Sequence, residues 1–194
     1  VSRRLRSDVP LAFCMSGGID SNSIIAISAA HLGFDVHGFT IMNNDGRYDE
    51  QELVDLSSRE LNVRNEKIIL QQEDFLPVLQ SMIGARHGPV ATISYYTQNH
   101  LYKAISDKGY KVALSGTGAD EMFSGYYDHH LLYLSSKFEN SMQYSQALQN
   151  WKHFVEPVIR NPLLKDPEMY LETPSARAHV YYKNNYYAEF FLKN

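Results

Sequence analysis

Apolar runs of strand length recur at Leu11 to Met15, Val36 to Ile41, Glu66 to Leu70 and Lys111 to Ser115, with longer stretches of helical character between them. Runs this short predict strands, and their alternation with helices predicts a parallel sheet in an α/β fold. The segment Ser21 to Leu32, rich in Ile and Ala, reads as a mostly buried helix. Asp49 followed by Glu52 has the spacing of a capping box that opens a second helix running through Leu61. A third helix is expected over Ser94 to Lys108, ended by Gly109. From His129 to Asn194 the pattern is helical, rich in tyrosine and interrupted at Pro157, Pro162 and Pro167, with no further convincing strand.

Composition narrows the functional classes. With 194 residues, 44% hydrophobic and 21% charged, the chain is long enough for a substantial core and ordinary for a globular protein. A formal net charge of -4 lacks the footprint of a general nucleic-acid binder, and the short patch Arg3, Arg4, Arg6 reads as a solvated face. No apolar run approaches the roughly 18 residues of a membrane span and no signal-peptide pattern opens the chain, so a cytoplasmic location is expected. The single cysteine, Cys14, falls inside the first apolar run and reads as an inert core residue. The chain opens on Val1 and enters its first strand almost at once, as an excised piece of something longer would.

Two loops carry the candidate chemistry. Ser16, Gly17, Gly18, Ile19, Asp20 and Ser21 lie between the first strand and the first helix. Two glycines let a backbone approach an anion closely, and the amides and dipole of the helix start point at it. The loop lacks the spacing and lysine of a Walker A sequence and does not match the dinucleotide fingerprint. The second loop, Ser115, Gly116, Thr117, Gly118, Ala119, Asp120 and Glu121, also follows a strand and opens a helix. In a parallel sheet the carboxyl ends of the strands share one edge, so the two loops can face one another. Asp20 and Asp120 would then set two carboxylates beside the same phosphates, as Mg²⁺ requires when it uses few protein ligands.

The run Ser7-Asp8-Val9-Pro10, then Ser16-Gly17-Gly18-Ile19-Asp20-Ser21, then Ser115 to Glu121 with Gly125-Tyr126, resembles the synthetase domain of asparagine synthetase-like proteins. These belong to the wider ATP pyrophosphatases that share the first loop, and the resemblance spans about Arg4 to Tyr127. It implies a doubly wound parallel α/β sheet of the adenine-nucleotide α-hydrolase-like type with a C-terminal helical portion. The implied domains are a core over 1–127 and a helical extension over 128–194. It further implies that Ser16, Gly17, Gly18 and Ser21 hold the pyrophosphate portion of ATP, that Asp20 and Asp120 bind Mg²⁺, and that Ser115 and Gly116 contact the nucleotide. Met15 and Ile41 match positions that meet adenosine largely through main chain. The implied chemistry is attack of a carboxylate on the α-phosphorus, giving an acyl-adenylate that ammonia converts to an amide with release of AMP. Ammonia would come from a glutaminase domain. No nucleic acid or membrane partner is implied, and a homodimer is left open.

One position departs from the family pattern. Thr117 stands where asparagine synthetases commonly carry a glutamate that could orient the intermediate or take a proton from ammonia, and a threonine cannot act as that base. The substrate carboxylate is therefore aspartate or another acid, for instance a sugar acid. The 194 residues include no glutaminase segment with an N-terminal cysteine nucleophile and no recognisable basic segment after Tyr126, as expected of a chain truncated at both ends, so residues 1–194 alone are expected to turn over little. Two other readings stand beside the ligase: an ATP pyrophosphatase of tRNA modification, and a nucleotide-binding module that has lost catalysis. Asp128, His129 and His130 are neighbours that do not share a helix face as metal ligands would. Tyr181, Tyr182, Tyr186 and Tyr187 read as an interface and Trp151 as core. Tyr48, Asp49 and Glu50 carry no reading beyond helix capping.

Overall fold

The structure, a computed structural model, describes residues 1–42, 49–70 and 75–172. Its four strands are β1 (Leu11–Cys14), β2 (His37–Met42), β3 (Arg64–Ile69) and β4 (Val112–Leu114). All pairings are parallel and the order is β3-β2-β1-β4. Each strand lies where an apolar run predicted one. β3 starts two residues early, at Arg64 and Asn65, because these polar residues pair with His37 and Gly38 in the ladder. Backbone pairing, rather than hydrophobicity, sets that end.

The alternation of side chains along β1 explains the layers. Leu11, Phe13 and Met15 pack on one side with Ile25 of helix α1 (Ile19–Ala26) and Val54 of helix α2 (Gln51–Glu60). Ala12 and Cys14 pack on the other side with Phe39, Leu101 and Ile105, the last two from α4 (Ile93–Asp107). A strand covered on both faces needs an unbroken apolar sequence, and Leu-Ala-Phe-Cys is one. Burial pushes the Cys14 thiol up to about 11, which keeps it protonated and unreactive. The sheet is doubly wound: it grows from β1 through β2 to β3 beneath α1 and α2. The chain then crosses back to β4 by way of α4 on the opposite face.

The helices depart from expectation in informative places. The segment predicted as one helix is α1 followed by a π turn over Ile27–His31, where the fully buried Ser28 donates its hydroxyl to the Ile24 carbonyl at 2.7 Å. The capping box at Asp49 is not formed. Glu50 is the residue at the N-cap of α2, and Asp49 instead accepts from the Gln51 amide at 2.9 Å. α4 ends as predicted, with Gly109 at φ +86 and the Tyr110 amide reaching back to the Ile105 carbonyl. Helix α3 (Phe75–Arg86) was not read from the sequence, although Phe75, Val78, Leu79, Met82 and Ile83 fall at helical spacing; of its residues only Met82 is buried.

At the amino end of β2, a polar chain joins three elements. The Tyr110 hydroxyl lies 2.7 Å from His37 Nδ1, His37 Nε2 lies 3.2 Å from Glu66, and Lys108 Nζ lies 2.8 Å from the other Glu66 oxygen. The hydrogen bond from Lys108, aided by the nearby His37, holds the Glu66 carboxyl below the usual range despite some desolvation.

The chain divides into a first unit, Val1–Gly118, and a second, Ala119–Asn194. The second contains α5 (Ala119–Phe123), α6 (Tyr127–Lys137), α7 (Ser141–Phe154) and α8 (Pro167–Glu172). Its core gathers Leu131, Leu134, Trp151 and Ile159, so Trp151 is the core residue it was read to be. The prolines punctuate it as expected: Pro157 and Pro162 sit in 3-10 turns and Pro167 opens α8. Among the described residues no helix is long and apolar enough to cross a membrane, and no group of three or more His, Cys, Asp and Glu could hold a metal ion. Tyr48, Tyr181, Tyr182, Tyr186 and Tyr187 lie outside the described residues.

Two measurements probe this account. Phe39→Ala, which empties a fully buried position on the α4 side of the sheet, is expected to cost about 3–5 kcal/mol, read as a lowered urea midpoint. Glu66→Gln tests the polar chain through pH. Because the folded carboxyl is depressed, its contribution is complete above the ordinary value of 4.5 and is lost as pH falls through the lowered one. The stability gap between wild type and Glu66→Gln should therefore be constant near neutrality and close in acid.

Candidate functional site

The order β3-β2-β1-β4 places a topological switch between β1 and β4: the connection out of β1 packs on one face of the sheet, and α4, which leads into β4, packs on the other. The crevice outside the carboxyl ends of such strands is where open α/β sheets bind ligands. Both sequence-predicted loops leave from it. The first leaves β1 through Met15 and runs to the start of α1, and the second leaves β4 at Ser115.

The first loop is tied down by its own side chains. Ser21 Oγ lies 2.8 Å from Ser16 Oγ and accepts from the Ser16 amide at 3.2 Å. The Gly18 amide donates to Ser16 Oγ at 3.2 Å. The Asn22 side-chain amide donates to the Ser16 and Gly18 carbonyls at 2.9 and 2.8 Å. The Gly17 amide donates to a Glu50 carboxylate oxygen at 2.8 Å. Gly18, at the N-cap of α1, offers no side chain to the helix start. Nothing among the described residues accepts from the first-turn amides of Ile19, Asp20 and Ser21, at the positive end of the helix dipole. Among the described residues no side chain pairs with the Asp20 carboxylate, which is half-buried.

The second loop meets the first through Gly116. Leu114 pairs with Phe13, so the residues just beyond β4 run alongside the loop that follows β1. A Cβ placed on Gly116 would stand 2.8 Å from the Ser21 nitrogen and 3.0 Å from both the carbonyl carbon and the Cβ of Asp20. Only glycine allows that approach. Beside it the Ser115 and Thr117 hydroxyls lie 2.8 Å apart, and Ser115 Oγ accepts from the Thr117 amide. Both side chains are exposed, so two neutral hydroxyls stand at the end of β4.

Met15 and Ile41 lie at the carboxyl edge, but their side chains take opposite faces of the sheet. The Met15 amide donates to the Phe39 carbonyl at 2.9 Å, and its carbonyl accepts from the Thr40 hydroxyl at 2.9 Å. Only the second lone pair of that carbonyl is left for a ligand. In the second unit, Asp120 opens α5 and its carboxylate fills the space a side chain would need at Gly125, whose amide donates to the Asp120 carbonyl at 3.0 Å. The neighbouring Tyr126 donates its hydroxyl to Glu121 at 2.8 Å. That bond lowers the Glu121 carboxyl and raises the Tyr126 phenol. The Gly125-Tyr126 pair of the sequence motif thus supports its two acidic residues.

The structure brings together Ser16, Gly17, Gly18, Asp20, Ser21, Ser115, Gly116 and Thr117. It adds two residues the sequence did not connect to the loop. Glu50 was read only as a helix cap, and nothing in its spacing signals a partner 33 residues earlier. Asn22 falls on the far side of the motif, where it resembles any helical asparagine.

Comparison with known proteins agrees with the motifs. The chain is 27% identical to the putative asparagine synthetase [glutamine-hydrolyzing] 2 of Methanocaldococcus jannaschii over 130 residues, 66% of this chain and 25% of that protein. It is 27% identical to asparagine synthetase [glutamine-hydrolyzing] 3 of Bacillus subtilis over 210 residues, 95% of this chain and 34% of that protein. The chain therefore spans about a quarter to a third of the length of these relatives. The solved NH3-dependent NAD synthetase of Campylobacter jejuni is a distant likeness, with a TM-score of 0.43 at 16% identity over 91% of this chain and 89% of that one. The asparagine synthase family model matches residues 1–187, and the chain belongs to that family.

Proposed function

We propose that this chain carries an ATP site of a ligase that activates a carboxylate as an acyl-adenylate and passes the acyl group to ammonia. The observation that carries the reading is the packing of Gly116 on the Asp20–Ser21 backbone at the switch point, beside helix-start amides that keep their donors. That geometry suits the phosphates of a nucleotide, and family membership supplies the reaction class.

The residues present also fit Mg²⁺. Asp20 is a hard oxygen donor with no described partner, set at the edge of the phosphate cradle, which matches an ion that takes one or two carboxylates plus phosphate oxygens. Asp120 is the second proposed ligand on its sequence motif. Bound there, the ion would neutralise charge on pyrophosphate as it departs.

The balance of the reaction is simple. A carboxylate oxygen forms a bond to the α-phosphorus as the bond to the bridging oxygen breaks and pyrophosphate leaves. The ammonia nitrogen then bonds to the acyl carbon, AMP leaves with its oxygen, and one proton passes to solvent. The first-turn amides and loop hydroxyls act by position and charge, so no protein nucleophile is required. With Thr117 neutral, the end of β4 offers hydroxyls rather than a carboxylate to whatever lies there, consistent with aspartate or another acid as substrate. Ammonia supplied by a glutaminase domain completes the proposal.

ATP–pyrophosphate exchange in the full-length protein, driven by a panel of carboxylic acids, tests the reading. Asp20→Asn and Asp120→Asn should each reduce exchange by at least about a hundredfold with unchanged circular dichroism, the loss expected when a preorganised electrostatic group is removed. Exchange that survives both changes would dismiss the metal assignment. Gly116→Ala, whose methyl must push against backbone, should destabilise the first unit by about 1–3 kcal/mol. It should also weaken ATP binding measured by calorimetry, whereas unaltered affinity would mean the loop contact does not shape the site.

A further inference from the structure

The polar ties of the first loop follow a pattern. Three consecutive amides, those of Ser16, Gly17 and Gly18, are already spent on acceptors within the protein. Two of the acceptors are the loop's own serine hydroxyls. The third, Glu50 Oε2, comes from α2 and takes the Gly17 amide at 2.8 Å. The same helix also closes over Gly17 sterically, since a Cβ there would meet Leu53 Cβ at 3.0 Å, Glu50 Cβ at 3.1 Å and Leu53 Cδ1 at 3.1 Å. Gly17 is therefore held by a charge-assisted hydrogen bond to Glu50 and by close contact with the Leu53 side chain.

A carboxylate beside a phosphate site repels the ligand unless it does something else there. Here it has a fixed anchor: Glu50 begins α2, its carbonyl accepts from the Val54 amide at 3.0 Å, and Val54 is fully buried against the sheet. The base of the side chain is thus set by the core. We propose that Glu50 is a positioning residue for the phosphate loop: with Leu53 it pins Gly17, so that the donors left over are those of the α1 start rather than those of the loop. This rests on the ATP reading above, and it assigns Glu50 a role through the loop and not by contact with substrate.

Two variants of the full chain separate the possibilities, because glutamine keeps an oxygen that can accept from Gly17 while alanine does not. Amide hydrogen exchange at Gly17 and calorimetric binding of inorganic pyrophosphate and of MgATP are the readouts. Glu50→Ala should speed Gly17 exchange and weaken both ligands by about tenfold, the size expected for a hydrogen bond to a charged group. Glu50→Gln should restore protection and bind at least as tightly as wild type. If Glu50→Ala frees the Gly17 amide but leaves affinity unchanged, or tightens it, the positioning role is overturned while the nucleotide site stands. If Glu50→Ala leaves Gly17 exchange unchanged, the pin itself is refuted. Should the wild type bind neither ligand, the ATP reading fails, and the role in phosphate binding falls with it whatever Gly17 does.

Discussion

The backbone of Gly116 lies against the backbone of Asp20 and Ser21, and the site in the first unit depends on that contact. It exists because β4 pairs with β1 in parallel, Phe13 opposite Leu114, so the two chains leave the sheet side by side. It is close because neither the residue type nor the local conformation puts a side chain in the gap. A parallel neighbour reached only after a long crossover is costly to bring together, since loop-closure entropy must be overcome before the contact forms. The apolar sequence of β1, buried on both faces, offsets that cost.

Around this contact the loop spends its polar groups unevenly. Serine hydroxyls, the Asn22 amide and the Glu50 carboxylate satisfy the amides of Ser16 to Gly18 and the carbonyls of Ser16 and Gly18 from within the protein. The helix start that follows has no such cap. With glycine at its N-cap, α1 forgoes only a few tenths of a kcal/mol relative to a capping side chain. The contact such a side chain would make to its first-turn amides stays unmade, as it does at the starts of α2, α4 and α6. An anion is the group that would supply it.

Several elements could be read directly from residues. β1 was legible because burial on both faces demands an unbroken apolar run, and α4 because its end carries a glycine suited to positive φ. Helix α3 was not singled out, although its apolar residues fall at helical spacing, and most of them are not buried in the described structure. The capping box failed for a reason of its own: Asp49 and Glu52 had the right spacing, but the helix began at a neighbour whose side chain was wanted elsewhere. Spacing rules describe local competition among side chains, and a long-range partner can win it.

The sequence by itself determined the order of elements, the parallel α/β class and the identity of both loops, because alternating apolar runs and glycine-rich turns are local features with local causes. It also offered the candidates for a phosphate and its metal ion: the serines and glycines for the first, Asp20 for the second. Only the tertiary structure decided which of their groups remain available. Strand order put β1 beside β4 at the switch point, Gly116 closed the gap, and Glu50 claimed the Gly17 amide from 33 residues away. Hydrogen-bond partners and close backbone contacts depend on which chain segments the sheet brings together, and that is a property of the register rather than of any one segment.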